Sequence, residues 1–99
     1  MIVFEWDENK ARANLRKHGI HFEDALLVFD DPYALSGPER AEGGEIRWQT
    51  IGLASGIVLI LVAHTVREAG QDEVIRIISA RRATREEVRR YVENREEDV

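Results

Sequence analysis

The chain has 99 residues, a net charge of −5, 43% hydrophobic and 33% charged residues, and no cysteine. That length suits one domain, residues 1–99, with one modest core, and the composition is that of a folded chain. Disulfides and thiolate metal sites are excluded. No apolar run approaches the roughly 18 residues of a membrane span, and the MIVFEW start lacks a signal peptide's basic region, so a cytoplasmic protein without a membrane partner is expected.

The charge is unevenly placed. The first fifty residues carry ten acids and six bases, whereas residues 76–90 carry six arginines against Glu86 and Glu87. Glu96, Glu97 and Asp98 belong to an acidic tail over residues 93–99. An acidic chain with one cationic segment can still hold a phosphate there. The same pattern also describes a solvated helix face with pairs such as Glu86–Arg89 and Glu86–Arg90.

In chain order, Ile2–Trp6 reads as a strand of β-branched and aromatic residues. Asp7 is a good N-cap for a helix over residues 8–18, with Ala11, Leu15 and His18 as its buried stripe and Gly19 as its stop. Residues 22–29 read as a second helix, ended by Asp30-Asp31-Pro32. His18 and His21 are three apart, but the helix breaks between them and no third ligand is near, which argues against a metal site. Residues 33–36 suit a short edge strand, and GPERAEGG, 37–44, a mobile loop.

Glu45–Ala54 is a strand, Ser55-Gly56 a hairpin turn, and residues 57–66 a return strand. Its IVLILVA run is apolar on both faces, which suits a central strand. REAGQD, 67–72, reads as a polar loop into a strand over 73–80. Thr84 and Glu87 form a capping box for a last helix, with Val88, Tyr91 and Val92 as its stripe. The whole is an α+β domain: an antiparallel β-meander with two N-terminal helices packed on it and a C-terminal helix. Alternation along the third meander strand groups Arg81 with Ile75, Ile77 and Ser79, and Arg82 with Arg76, Ile78 and Ala80. On that reading Arg67 and Arg81 face a cleft, and Arg82 is the arginine that pairs with Glu86 or Glu87.

The chain has no phosphate loop, no nucleophile elbow and no carboxylate cluster for two metals. RNA, however, carries its own nucleophile in the 2′-hydroxyl. Its cleavage needs a base, an acid, and cations around the phosphate, for which the arginine fork is suited. Glu45, Arg47, His64, Arg67, Arg81 and Arg82 are the available parts, with Trp48 or Tyr91 as stacking surfaces. Lys17 is a helix-dipole partner or a phosphate contact. His64 also fits a hydrogen-bonded core histidine, and Trp48 a packing anchor.

FEWDENKARANLRKHGIHFEDALLVFDDP, EIRWQTIG, and HTVRE followed by VIRIISARRATREEVRRY together resemble the BrnT family over roughly residues 4–91. The resemblance implies a RelE-like fold and a metal-independent, cofactor-free endoribonuclease that inhibits translation. It would be the toxin of a type II toxin–antitoxin module. The implied partners are RNA and a BrnA-like ribbon-helix-helix antitoxin, whose complex binds operator DNA through the antitoxin. Lys17, Arg47, Arg67, Arg81 and Arg82 become phosphate-side cations, Glu45 and His64 acid–base candidates, and Trp48 and Tyr91 supporting or stacking residues. One departure is EIRW where the family usually reads ERW, which moves Glu45 one step further from Arg47, although strand alternation keeps the two on one face. The alternative is a non-enzymatic module, or an inactive homologue, that acts only by binding its protein partner.

Overall fold

The computed structural model describes residues 1–56 and 58–97. Five strands form one sheet in the order β1-β5-β4-β3-β2: β1 Ile2–Trp6, β2 Leu35–Glu42, β3 Glu45–Ala54, β4 Val58–Ala69 and β5 Asp72–Arg82. β2 to β5 are an antiparallel meander, and β1 joins the edge of β5 in parallel. β4 lies in the middle. Ile60 and Val62 face one layer and Leu61 the other, so its uninterrupted apolar run is buried on both sides. Ile57, the expected first residue of this strand, and Asp98 and Val99 of the tail lie outside the described residues.

Helix α1, Glu8–His18, starts at Asp7, whose side chain accepts hydrogen bonds from the backbone of Asn9 at 2.8 Å and Lys10 at 3.1 Å. It stops at Gly19, which takes φ +70°. α2, Phe22–Ala25, is a single turn that tightens into a 3-10 segment, Leu26–Asp30, rather than one helix through residue 29. This segment lies hard against β3. A Cβ on Gly52 would come 2.8 Å from Val28 Cγ1, so only glycine admits the approach. Phe22, Ala25 and Val28 pack there with Ile60, Val62, Ile75, Ile77 and Ala80. Helix α3, Arg85–Glu97, crosses the opposite face, where Tyr91 meets Ile51 and Leu61. No helix among the described residues is long and apolar enough to cross a membrane.

Three local expectations change. Most of residues 37–44 is strand β2, because Gly43 and Gly44 both take positive φ and close a two-residue hairpin onto β3. Residues 67–69 continue β4, and the turn shrinks to Gly70-Gln71. The buried residue of α1 is Asn14, while Leu15 is 37% exposed.

Asn14 is inside for a definite reason. β1 pairs with β5 only as far as Ile77, which leaves the backbone of Ala80 without a strand partner on that side. The Asn14 amide supplies one. Its Nδ2 donates to the carbonyl of Ala80 at 2.9 Å, and its Oδ1 accepts from the Ala80 amide at 3.0 Å. Nδ2 also donates to the carbonyl of Ile20 at 3.0 Å, which ties down the chain leaving the helix.

Candidate nucleic-acid interface

One irregularity in β5 organises the charged surface. Ala63 of β4 faces Ser79 while His64 faces Ile77, so Ile78 has no partner. A one-residue bulge reverses which side chains point to which face. Ile75 and Ile77 before it, and Ala80 after it, all reach the helical core. Arg76, Ser79 and Arg81 therefore share the opposite face. Uninterrupted alternation places Arg81 with Ile75 and Ile77, and Arg76 with Arg82; the bulge overturns both groupings.

On that opposite face, β3 contributes Glu45, Arg47 and Gln49 in step with Ile51, and β4 contributes Ala63, Thr65 and Arg67 in step with Leu61. α3 covers the Ile51–Leu61 end and leaves the rest open. Lys10, Glu42, Glu45, Arg47, Thr65, Arg76 and Ile78 line a cavity of about 200 Å³ there. Carboxylates are shared among the arginines. Glu5 lies 3.1 Å from Arg67 and 3.8 Å from Arg76; Glu42 lies 3.2 Å from Arg40 and 3.9 Å from Arg47. Arg81 sits by the start of α3 with Glu87, at 2.7 and 2.9 Å. It, and not Arg82, is thus the arginine that pairs with the helix. The Arg81 hydrogen bonds hold the Glu87 carboxyl down at about 2, against the opposing effect of burial.

Glu87 also closes the capping box. It accepts from the Thr84 amide at 2.8 Å, while the Thr84 hydroxyl accepts from the Glu87 amide at 3.2 Å.

Of the residues singled out in the sequence, Glu45, Arg47, Arg67 and Arg81 are brought to this face. The other five are elsewhere. Trp48 is half-buried beside Val66 and Ile46 on the helical side of the sheet. Arg82 is exposed on that side too, at a separate cavity with His18, Asp24 and Ile60. Lys17 is exposed in the last turn of α1. Tyr91 is 2% exposed, and its hydroxyl donates to Asp31 at 2.7 Å, so its ring has no free face for a base. Burial, with Asp31 beside it, pushes the Tyr91 phenol up to about 12. Asp31 is the fastener of α3, since it also accepts from the amides of Leu53 at 2.8 Å and Tyr33 at 2.9 Å.

His64 lies in the core. It is 4% exposed and edge-on to Phe29, and its Nε2 is 2.8 Å from the Thr50 hydroxyl, itself 2.7 Å from that of Ser36. Its Nδ1 is buried without a hydrogen-bond partner. Burial holds its pKa below the usual 6.5. The unfolded chain therefore takes up the His64 proton first as pH falls, and stability should be lost from about pH 6.5 downward. The melting temperature is expected to fall between pH 7 and 5, and His64→Leu should flatten that slope. An unchanged slope would mean that this histidine does not govern the transition.

Sequence reasoning missed Arg40, Arg76, Lys10, Glu5 and Glu42. Arg76 was hidden by the bulge. Arg40 and Glu42 were hidden by assigning their segment to a loop, since only pairing with β3 sets them beside Arg47. Among the described residues no group of three or more His, Cys, Asp or Glu side chains is placed to hold a metal ion.

The domain is α+β, and one side of its sheet sets Arg40, Arg47, Arg67, Arg76, Arg81 and Lys10 among the carboxylates of Glu5, Glu42, Glu45 and Glu87. The profile of the family described as the ribonuclease toxin, BrnT, of type II toxin–antitoxin systems matches residues 6–87. The chain belongs to the BrnT family. It is also similar to the crystal structure of the Brucella abortus ribonuclease toxin BrnT, with a TM-score of 0.64 and 29% identity, over 86% of this chain and 99% of that one. No protein among the curated relatives matches.

Proposed function

We propose that the protein is a metal-independent endoribonuclease whose open sheet face binds the scissile phosphate. The observation that carries this is the cavity lined by Glu45, Arg47 and Arg76, with Arg67 on the same side of the sheet and Arg81 at its α3 end. Family membership supports the substrate, and the arginines supply the charge that a metal would otherwise bring. None of the three histidines is on this face: His64 is in the core, His18 lines the cavity of Arg82, and His21 precedes α2. The 2′-hydroxyl proton is therefore assigned to Glu45, transition-state charge to the arginines, and the proton taken up by the departing 5′-oxygen to water at the open face. Thr65, in the floor, is a further hydroxyl within the cavity.

As a type II toxin, the protein requires an antitoxin. In this reading that partner is a small ribbon-helix-helix protein of the BrnA type, which would carry the DNA-binding function of the complex, and the overall relationship is to RelE-like nucleases. The test of the activity is incubation of the free protein with RNA in EDTA. Cleavage to a 2′,3′-cyclic phosphate or its 3′-phosphate is expected, and Glu45→Gln should slow it. Cleavage abolished by EDTA and restored by a divalent cation would refute the metal-free mechanism. RNA or antitoxin binding without cleavage in either buffer would leave the protein a binding module.

A further inference from the structure

Arg81 differs from the arginines of the open part of this face: it stands opposite Leu61, at the end that α3 covers. Arg67 and Arg76 share one carboxylate and Arg40 and Arg47 share another, whereas Arg81 has Glu87 to itself. Its Nη1 donates to Glu87 Oε1 at 2.7 Å and its Nη2 to Oε2 at 2.9 Å, an end-on contact that uses both terminal nitrogens. Nη1 also donates to the carbonyl of Arg82 at 3.2 Å.

A guanidinium has five N–H groups in a fixed plane. Three are engaged here. The remaining two are one hydrogen on Nη2 and the one on Nε, which point in parallel along the side edge. That edge is the fork that grips two oxygens of a phosphate. The partner holding the other edge is itself rigid. Glu87 is 8% exposed, and the Thr84 amide fixes its Oε1.

We propose that Glu87 is a positioning residue for RNA cleavage: it clamps the Nη1–Nη2 edge of Arg81 and so presents the Nε–Nη2 edge to the phosphate. This rests on the reading of Arg81 as a phosphate contact. The capping box thus serves two ends, starting α3 and aiming an arginine. An unclamped Arg81 would sample many rotamers, and each cleavage event would have to wait for, or bear the entropy of, the productive one.

The two ends can be separated by mutation. Glu87→Gln keeps an oxygen for the Thr84 amide, since glutamine serves in a capping box, but turns an NH2 group toward one arm of Arg81. Thr84→Ala removes the hydroxyl cap and leaves the Glu87–Arg81 pair. The experiment measures single-turnover RNA cleavage, RNA affinity and thermal melts for five proteins: wild type, Glu87→Gln, Thr84→Ala, Arg81→Ala and the Arg81→Ala/Glu87→Gln double variant.

Glu87→Gln should slow cleavage on the order of tenfold to a hundredfold, the usual cost of a misplaced catalytic group. Thr84→Ala should melt earlier yet cleave at the wild-type rate. The double variant should cleave no more slowly than Arg81→Ala, because Glu87 acts only through Arg81. A wild-type rate for Glu87→Gln, or effects that multiply in the double variant, would overturn the proposal. Should Glu87→Gln not fold, Glu87→Asp replaces it: the charge remains but the two-point reach is lost, and a wild-type rate would again count against the clamp. A wild-type rate for Arg81→Ala is a different failure, that of the phosphate-contact reading itself.

Discussion

Arg81→Ala is expected to cleave RNA about a hundred- to a thousandfold more slowly than wild type while remaining folded. Removing one preorganised donor to developing charge costs about 2.7–4 kcal/mol in comparable sites. Arg81 has the attributes such a donor needs. Its side chain is about one-third exposed, so substrate can reach it, and it is held at both terminal nitrogens. Arg81→Lys should recover little, because one ammonium cannot engage Glu87 at two points and still offer a planar fork. Arg82→Ala is the internal contrast. Arg82 is the neighbouring residue with the same charge, but it lies on the other face of the sheet beside His18 and Asp24. Its loss should leave cleavage close to wild type. Equal losses at the two positions would show that the rate follows net charge and not the face on which the arginine stands. Each protein must first be melted, since removing Arg81 strips Glu87 of its counter-charge.

The second large effect is on stability. Asn14→Ala should lower the urea midpoint sharply, by an amount equal to about 3 kcal/mol or more. Three backbone groups lose their partner at once: the amide and carbonyl of Ala80 and the carbonyl of Ile20. A buried polar group left unpaired costs about 1–3 kcal/mol, and Asn14 is only 6% exposed. Against a typical total of about 5–15 kcal/mol the loss is large. Asn14→Asp separates hydrogen bonding from volume. Its carboxylate can accept from the Ala80 amide but cannot donate to either carbonyl, and the charge is buried. At neutral pH it should be at least as unstable as the alanine protein. It should regain stability as the pH falls and the carboxyl takes up a proton that it can donate. If Asn14→Asp is as stable as wild type at pH 7, the amide clamp is not what holds α1 to β5.

Much of the architecture was legible along the chain because it depends on local rules. Asp7 and Gly19 bracket α1 through cap chemistry that each residue carries by itself. The apolar run of β4 demands cover on both faces wherever the strand is placed, and Thr84 with Glu87 begins α3 at the spacing of a capping box. Family resemblance could likewise be read from residues in order. Membership of one charged face could not. It depends on a bulge at Ile78, which shifts strand register against a neighbour and has no signature in the residues themselves. That one step puts Arg76 and Arg81 on the same face and leaves Arg82 on the other. It also depends on pairing across the sheet, which sets His64 opposite Trp48, on the side away from Arg47, and turns a glycine-rich stretch into the strand that carries Arg40 and Glu42. Tyr91 shows the same division: helix periodicity marks it as an inward residue, but only the distant Asp31 decides where its hydroxyl goes. Local propensity and capping act within a turn or two of chain. The face on which a charge stands is set by contacts between strands far apart in sequence, and only the tertiary structure supplies those.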